Sequence, residues 1–432
     1  MNKATENKEY YITDFGAKVC DSLQTKCIQN AINTCFLNGG GKVIIPTGIF
    51  HTGGLRLRSG VTLYLKSGAI LKGSLDPDDY TGYINDDIEP INEPEDKGEG
   101  LARSVYPFSR WNNAIIRAID AQNIAIIGEK GSYINGANCY DPTGEEQYRG
   151  PHAINIQRCK NVHLEGYTIT DSANWAHAIF ITQNITARAL TVYGGHDGFD
   201  IRTCDNVLIE DCSFYTGDDC IAGFDNCDVI INNCIFDTAC SALRFGGNNV
   251  LVENCRSIAP SCFGFRGLLP IESKASNALT NKDCRHNMLT FFLYYCDFRA
   301  EIRKTPRNII IRNCEIENAD SLFELNFGNH IWCRNRSLSS IVFENCKAIG
   351  ICKPIYIYGD KNEPLDFTLE NVQIEARKGF EDLPFIDAIN YSKISLNNVS
   401  IIGYHSPELI SRSEGVVYTD NCTTLNVLKC RN

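Results

Sequence analysis

Short segments in which apolar and polar residues alternate recur along most of the chain, and asparagine, aspartate and glycine separate them. Examples are KNVHLEG, which begins at Lys160, DNVLIED, which begins at Asp205, and RNIIIRN, which begins at Arg307. Alternation of this kind is typical of strands that bury one face. The pattern therefore predicts many short strands and very little helix.

A polar residue near the start of these segments recurs at an almost constant interval. It is found at Asn161, Asn184, Asn206, Asp228 and Asn249, at intervals of 23, 22, 22 and 21 residues. Such a period favours a solenoid, whereas a β-sandwich would show hairpins without a period and a leucine-rich repeat would need regular leucines. We predict an all-β fold, a single-stranded right-handed parallel β-helix whose coils stack about 4.8 Å apart.

Cysteines follow the same repeat. Matching positions are occupied by Cys212, Cys234, Cys255, Cys314 and Cys346. The 21 cysteines include no Cys-x-x-Cys pair, which is the spacing of many structural zinc sites. We predict that these thiols stack in the interior, with a metal or redox role as the alternative. Reduced thiols and the lack of an apolar signal segment lead us to expect a cytoplasmic protein.

One stretch near the N-terminus has helical spacing. We predict a helix over residues 22–36 that caps the solenoid, with Asp21 and Gln24 as a capping box. The whole chain, 1–432, is predicted to form one β-helix domain. The repeat lapses at 81–100 and at about 257–289, which we interpret as loops; the acidic first loop fits either a solvated loop or the wall of a binding groove.

Composition limits the possible partners. The net charge of −11 disfavours binding to nucleic acid or to an anionic membrane, so an anionic substrate would need a local basic patch. No run of residues approaches membrane-spanning length. No feature requires a metal, a nucleotide or a flavin, so no cofactor is predicted.

Three aspartates are spaced so that one coil would bring them together. Asp197 lies in GGHDGFD, and the pair Asp218 and Asp219 begins 21 residues later in GDDC. Neighbouring carboxylates repel each other and raise at least one pKa, which is costly for a purely structural feature. An acid and an ionised carboxylate are what glycoside hydrolysis needs. Turn aspartates such as Asp205 and Asp228 are the structural alternative.

The chain resembles glycoside hydrolase family 28, the pectin-degrading polygalacturonases and their relatives, which are parallel β-helices. That family carries Asn-Thr-Asp-Gly-Ile-Asp and an Asp-Asp doublet 21 residues after the first Asp, matched here by GHDGFD and GDDC. The likeness extends from about residue 12 to 256. It implies an inverting mechanism in which Asp218 is the general acid, while Asp197 and Asp219 hold and deprotonate water.

The chain departs from the family pattern at the expected histidine and lysine. The histidine of the family's Gly-His-Gly motif corresponds to Cys240, and the Arg-Ile-Lys motif corresponds to Arg266 and Leu268. Arg303 and Lys304 form a second basic group that could bind substrate. The resemblance, with these departures, implies a galacturonide or rhamnogalacturonide oligosaccharide rather than homogalacturonan bound in the family's usual way.

Four more residues are candidates for substrate binding. His196 could hydrogen-bond substrate or face solvent as a turn residue. Arg244 could replace the positive charge of the missing histidine or balance the acids. Trp175 and His177 match the family's Ser-Pro-x-Trp-x-x-His region, and Trp175 fits either a sugar-stacking role or core packing.

The preferred function is an inverting glycoside hydrolase whose partner is an oligosaccharide or polysaccharide. Two alternatives remain. A polysaccharide lyase would need a base beside a uronate, commonly with calcium, and would release an unsaturated product. A non-catalytic carbohydrate-binding β-helix would keep the scaffold without the chemistry.

Overall fold

The computed structural model describes residues 8–80, 110–141, 148–269, 274, 284–297, 302–317, 319–328, 333–405, 410–411 and 415–422. The predicted loop at 81–100 and part of that at 257–289 lie outside these residues. The chain divides into two compact units, Met1–Val207 with Arg266–Lys282 and Leu208–Phe265 with Asp283–Asn432. The single domain therefore stays a prediction. Within the described ranges, no helix combines the length and the apolar character that crossing a bilayer requires.

The described residues of the first unit form short parallel strands, an α-helix and several 3-10 helices. Its strands are Glu9–Tyr11, Gly41–Ile45, Gly48–Thr52, Leu55–Arg56, Val61–Leu65, Ala69–Gly73, Ala114–Ile119, Gln122–Gly128, Tyr133–Asn135, His152–Gln157, Lys160–Glu165, Thr168–Thr170, His177–Phe180, Gln183–Arg188, Thr191–Gly194 and Phe199–Arg202. The α-helix is Thr25–Leu37, and 3-10 helices cover Ile12–Phe15, Pro77–Tyr80, Arg110–Asn112 and Arg266–Leu268. Each coil adds one strand to each of three parallel ladders.

The second unit continues with the same kind of coil. The strand Asp205–Glu210 contains the division between the units. The strands that follow are Ser213–Thr216, Ile221–Asn232, Ile235–Thr238, Ser241–Glu253, Arg256–Ser257, Met288–Tyr294, Arg307–Arg312, Glu315–Glu317, Ala319–Asn326, Ser340–Glu344, Lys347–Ile351, Ile355–Tyr358, Leu365–Glu370, Gln373–Ala376, Ile386–Ile389, Tyr391–Asn397, Ser400–Ile402, Ile410–Ser411 and Val416–Asp420. Their parallel pairing, for example of Val229 with Val250, confirms the predicted right-handed parallel β-helix.

The polar residue that marks each repeat lies at a turn with left-handed backbone. Asn161, Asn184 and Asn206 have φ values of 59°, 57° and 55°. Asparagine tolerates this region better than most residues. Its side chain also donates to the asparagine one coil before, at 2.8 Å from Asn184 to Asn161 and at 3.0 Å from Asn206 to Asn184. The interval seen in the sequence is therefore the length of one coil.

The repeated cysteines lie inside the coils, as predicted. Cys212, Cys234, Cys255, Cys314 and Cys346 are all buried, and no disulfide joins cysteines among the described residues. The thiols of Cys234 and Cys255 donate to main-chain carbonyl oxygens two residues earlier, at 3.3 and 3.1 Å. Their stacking confirms the structural interpretation of the repeat.

The predicted N-terminal helix is confirmed, but its predicted cap is wrong. The helix Thr25–Leu37 buries Ile28, Ala31, Ile32 and Cys35 against the first strands. No side chain caps its N-terminus. The side chain of Gln24 instead accepts a hydrogen bond from the main-chain nitrogen of Lys18 at 3.0 Å and donates to the carbonyl oxygen of Ser22 at 2.8 Å. The preceding loop therefore uses the side-chain amide of Gln24 that a capping box with Asp21 would need.

Candidate active site

The Asp218–Asp219 doublet lies between two strands of the second unit and has a fixed backbone. The carbonyl oxygen of Asp218 accepts hydrogen bonds from Thr216 Oγ1 at 2.8 Å and from Thr238 Oγ1 at 2.5 Å. The two threonines belong to consecutive coils. Their hydroxyl groups therefore fix the peptide group that joins the two aspartates.

Asp219 is fully buried and is held by one cation. Its Oδ2 lies 3.0 Å from Nε of Arg244, and its Oδ1 accepts from the main-chain nitrogen of Ser241 at 3.2 Å. Burial raises the pKa of Asp219, the guanidinium of Arg244 opposes that rise, and the charge of Asp218 adds to it. The Arg244 guanidinium also lies 4.8 Å from the ring centroid of Tyr295. Arg244 thus balances the acidic doublet, one of the two roles considered for it.

Asp218 is only half-buried, so solvent reaches it. A carboxylate oxygen from each aspartate and the sulfur of Cys240 lie within 4.8 Å of one another. Burial raises the pKa of the Cys240 thiol well above its ordinary value, and the charges of Asp219 and Asp218 raise it further. The thiol is therefore neutral. The three groups have a spacing that a metal ion could use, but Arg244 already supplies positive charge to Asp219.

His196 and Asp197 lie together in the first unit, and both are almost fully buried. The His196 ring stacks on Tyr140 with a centroid distance of 6.4 Å. Burial lowers the pKa of His196 well below its usual range, and the charges of Arg266 and Arg149 lower it further. His196 is therefore neutral at pH 7, and the interpretation of a solvent-facing turn residue is wrong.

Two buried arginines accompany His196 in the first unit, and we call Arg149, Arg266 and His196 the buried basic cluster. The Arg149 guanidinium lies 5.8 Å from the ring centroid of Trp111. Arg266 is the match to the family's arginine, whereas sequence reasoning missed Arg149 because no motif surrounds it. The two guanidinium groups form a local concentration of positive charge in a chain whose net charge is −11.

Trp175 and His177 are packed inside the first unit. The ring of Trp175 meets that of Trp111 edge-on at 5.7 Å. The two ring nitrogens of His177 lie 3.0 Å from Tyr167 Oη and 3.0 Å from the carbonyl oxygen of Gly198. Burial lowers the pKa of His177 to about 4. These contacts hold both side chains within the protein, beside Asp197, and a substrate-binding role for them stays a prediction.

Arg303 and Lys304 are exposed in the second unit. The Nε of Arg303 lies 2.8 Å from Oδ2 of Asp225, and its main-chain nitrogen donates to Oδ1 at 2.9 Å. The ion pair with Asp225 accounts for Arg303 without a substrate. The substrate-binding role of Lys304 stays a prediction.

Comparison with protein families and curated proteins gives one consistent result. The profile of the family described as "Glycosyl hydrolases family 28" matches residues 101–240. The chain is 26% identical over 225 residues to "Probable polygalacturonase" of Vitis vinifera, covering 49% of this chain and 43% of that protein. It is 24% identical over 247 residues to "Exo-poly-alpha-D-galacturonosidase" of Dickeya chrysanthemi, covering 49% and 41%. The chain thus spans less than half of the length of these relatives.

Solved structures with a similar fold cover most of the chain. An exopolygalacturonase from Thermotoga maritima superposes with a TM-score of 0.69 at 19% identity, covering 92% of both chains. A family 28 exopolygalacturonase from Yersinia enterocolitica has a TM-score of 0.68 at 19% identity, covering 96% of this chain and 78% of the other. At this level of identity the similarity concerns the fold.

Proposed function

Because the chain is a divergent member of glycoside hydrolase family 28, we propose that it is an inverting glycoside hydrolase acting on pectin-derived oligosaccharides of galacturonide or rhamnogalacturonide type. One observation carries the proposal: the solvent-accessible carboxyl group of Asp218 lies directly beside the buried carboxylate of Asp219, which Arg244 holds. Two carboxyl groups in such different surroundings suit the separate roles of acid and base. Their oxygens lie closer together than is usual in inverting enzymes, so the inverting outcome rests on the family resemblance.

In this mechanism Asp218 is the general acid that protonates the leaving oxygen. It is the member of the doublet that solvent reaches, and the family motif assigns the acid to its position. Asp219 is the base that takes a proton from the attacking water, because Arg244 and the Ser241 main-chain nitrogen favour its ionised form. By motif position, Asp197 shares that role.

The buried basic cluster is our candidate for binding a uronate carboxylate. Arginine suits this task because its guanidinium can donate two parallel hydrogen bonds to one carboxylate. His196, neutral at pH 7, can add a hydrogen bond without further charge. The names of the curated relatives, a polygalacturonase and an exo-poly-alpha-D-galacturonosidase, support a uronate substrate.

The proposal is tested by following the first product anomer. Purified protein is incubated with galacturonate and rhamnogalacturonan oligosaccharides, and the new anomeric proton is observed by NMR before mutarotation. We expect the initial product to have the opposite configuration to the bond cleaved. Retention would contradict the mechanism, an ultraviolet-absorbing unsaturated product would favour a lyase, and binding without cleavage would favour a non-catalytic protein.

A further inference from the structure

A separate group of cations surrounds Asp320 in the second unit. Nη2 of Arg285 contacts Oδ2 of Asp320, Nζ of Lys353 lies 3.5 Å from the same oxygen, and Nη1 of Arg377 lies 3.6 Å from Oδ1. The carboxyl group of Glu324 also interacts with Lys353, so three positive groups and two negative groups leave this Asp320 cluster with a net charge of +1 when both acids are ionised. A local surplus of this kind in a chain of net charge −11 can attract an anion.

The cations of the Asp320 cluster are open to solvent, whereas the acid is not. The side chain of Asp320 is 4% exposed, compared with 43% for Lys353 and 29% for Arg285. An ammonium group has three N–H donors and a guanidinium has five, whereas a carboxylate offers about four acceptor positions. The exposed donors of Lys353 and Arg285 can therefore bind a second carboxylate while they still contact Asp320.

The Asp320 cluster lies on the same ladder of the second unit as the proposed general acid. Ser241 pairs with Thr290, and Thr290 pairs with Ser321. Asp320 therefore has the ladder position that Cys240 and Asp218 have in earlier coils. Three coil steps separate Asp320 from Asp218, which corresponds to about 14 Å. An oligosaccharide of a few rings lying along the ladder would span this distance.

An aromatic side chain follows Lys353 on the same coil. Tyr356 comes three residues after Lys353 and is half-buried, while its neighbours Ile355 and Ile357 are buried on the opposite face of the strand. An aromatic face suits the apolar side of a pyranose ring, and the cations suit its carboxylate. Tyr356 pairs in register with Glu324 and Asp387 on the neighbouring coils, so the carboxylate of a sugar stacked on its ring would have to point toward Lys353.

We propose that Arg285, Lys353 and Arg377 form a distal subsite for a uronate carboxylate of the oligosaccharide substrate. The inference rests on the proposed function and deepens it, since it assigns recognition of a charged sugar several rings from the bond that is cleaved. Longer acidic substrates then bind more tightly than short ones, because only they reach the subsite.

The test compares Lys353→Met with Lys393→Met. Lys393 is a matched control, a lysine 41% exposed and 3.3 Å from Asp366 on another strand of the same unit. We expect KM for hexagalacturonate to rise about tenfold in Lys353→Met, the loss of one charge-assisted contact, with kcat unchanged. KM for digalacturonate should stay the same in both variants. An equal KM for hexagalacturonate in Lys353→Met and Lys393→Met would overturn the subsite.

Calorimetric titration with hexagalacturonate separates the subsite from hydrolysis. About tenfold weaker binding to Lys353→Met than to Lys393→Met supports the subsite even if no bond is cleaved, in which case only the hydrolase proposal fails. Equal binding to the two variants, with cleavage by the wild type, removes the subsite and leaves the hydrolase proposal intact. A wild type that neither binds nor cleaves hexagalacturonate overturns the subsite, and it overturns the hydrolase proposal only if rhamnogalacturonan oligosaccharides are not cleaved either.

Discussion

At the scale of single residues, burial and partners give the motif aspartates different roles. Asp200, the last residue of GHDGFD, forms a buried bidentate ion pair with Arg202, at 2.6 Å from Nε and 2.7 Å from Nη2. That pairing is structural. Asp218 instead keeps contact with solvent beside Asp219. The sequence alone could not separate Asp200 from the others, since the difference lies in their neighbours in space.

Replacing Arg244 with methionine should move the acidic limb of the pH–rate profile to higher pH. Arg244 opposes the rise that burial causes in the pKa of Asp219, so without it this carboxylate loses its proton only at higher pH. The base is then protonated over more of the acidic range. We expect kcat/KM near pH 5 to fall by about tenfold or more, and to fall less at neutral pH. Methionine retains an apolar contact with Tyr295.

Arg312→Met is the control for that experiment. It removes an ion pair of 2.7 Å with Glu253 on a strand of the same unit, away from the doublet. The pH–rate profile of Arg312→Met should coincide with that of the wild type. An acidic limb that does not move in Arg244→Met would show that Arg244 does not support the base.

At the scale of strands and turns, the fold could be predicted from the period of the repeat. The orientation of individual side chains could not be predicted. The interval between asparagines equals the length of one coil. Each coil needs, at this position, a residue that accepts a positive φ and that hydrogen-bonds to the matching residue of the next coil. The sequence similarity at His177 and Trp175 does not say which face their side chains occupy. All four residues of the strand His177–Phe180 are buried, so alternation gives no sign of the inward face. Arg149 was missed because only the folded chain brings it near His196.

Substitutions at Asn184 should show what the turn requires. Both Asn184→Gly and Asn184→Ala lose the hydrogen bonds to Asn161 and Asn206, but only alanine is strained at a φ of 57°. We expect the free energy of unfolding of Asn184→Ala to be lower than that of Asn184→Gly by about 1 kcal/mol. Chemical denaturation measures the difference.

The neighbouring Gln183 supplies the matched control. It is exposed at the start of the strand Gln183–Arg188 and has no positive φ. We expect the free energy of unfolding of Gln183→Gly to be lower than that of Gln183→Ala by about 0.5–1 kcal/mol. Glycine makes the unfolded chain more flexible, so folding costs more entropy. If the alanine variant were the less stable at both positions, or the glycine variant at both, the role given to the left-handed backbone of Asn184 would be contradicted.

At the scale of the whole molecule, each of the two units contains charged groups to which a role has been proposed. The first unit carries the buried basic cluster and Asp197, and the second carries the doublet, Arg244 and the Asp320 cluster. The remaining surface is acidic enough to give a net charge of −11, so long-range attraction of a polyuronate is weak and local basic groups must select it. The single domain and the cytoplasmic location stay predictions.

Hydrolysis by Asp218→Asn tests the central claim most directly. Asparagine has almost the same shape but cannot donate a proton to the leaving oxygen. Asp228→Asn is the control, since Asp228 is an exposed turn residue whose Oδ1 accepts from Asn249, a bond that asparagine can keep. With an oligosaccharide that the wild type cleaves, the account predicts that kcat falls by about 10²–10⁴-fold in Asp218→Asn and is unchanged in Asp228→Asn. Cleavage by Asp218→Asn at the wild-type rate would contradict it.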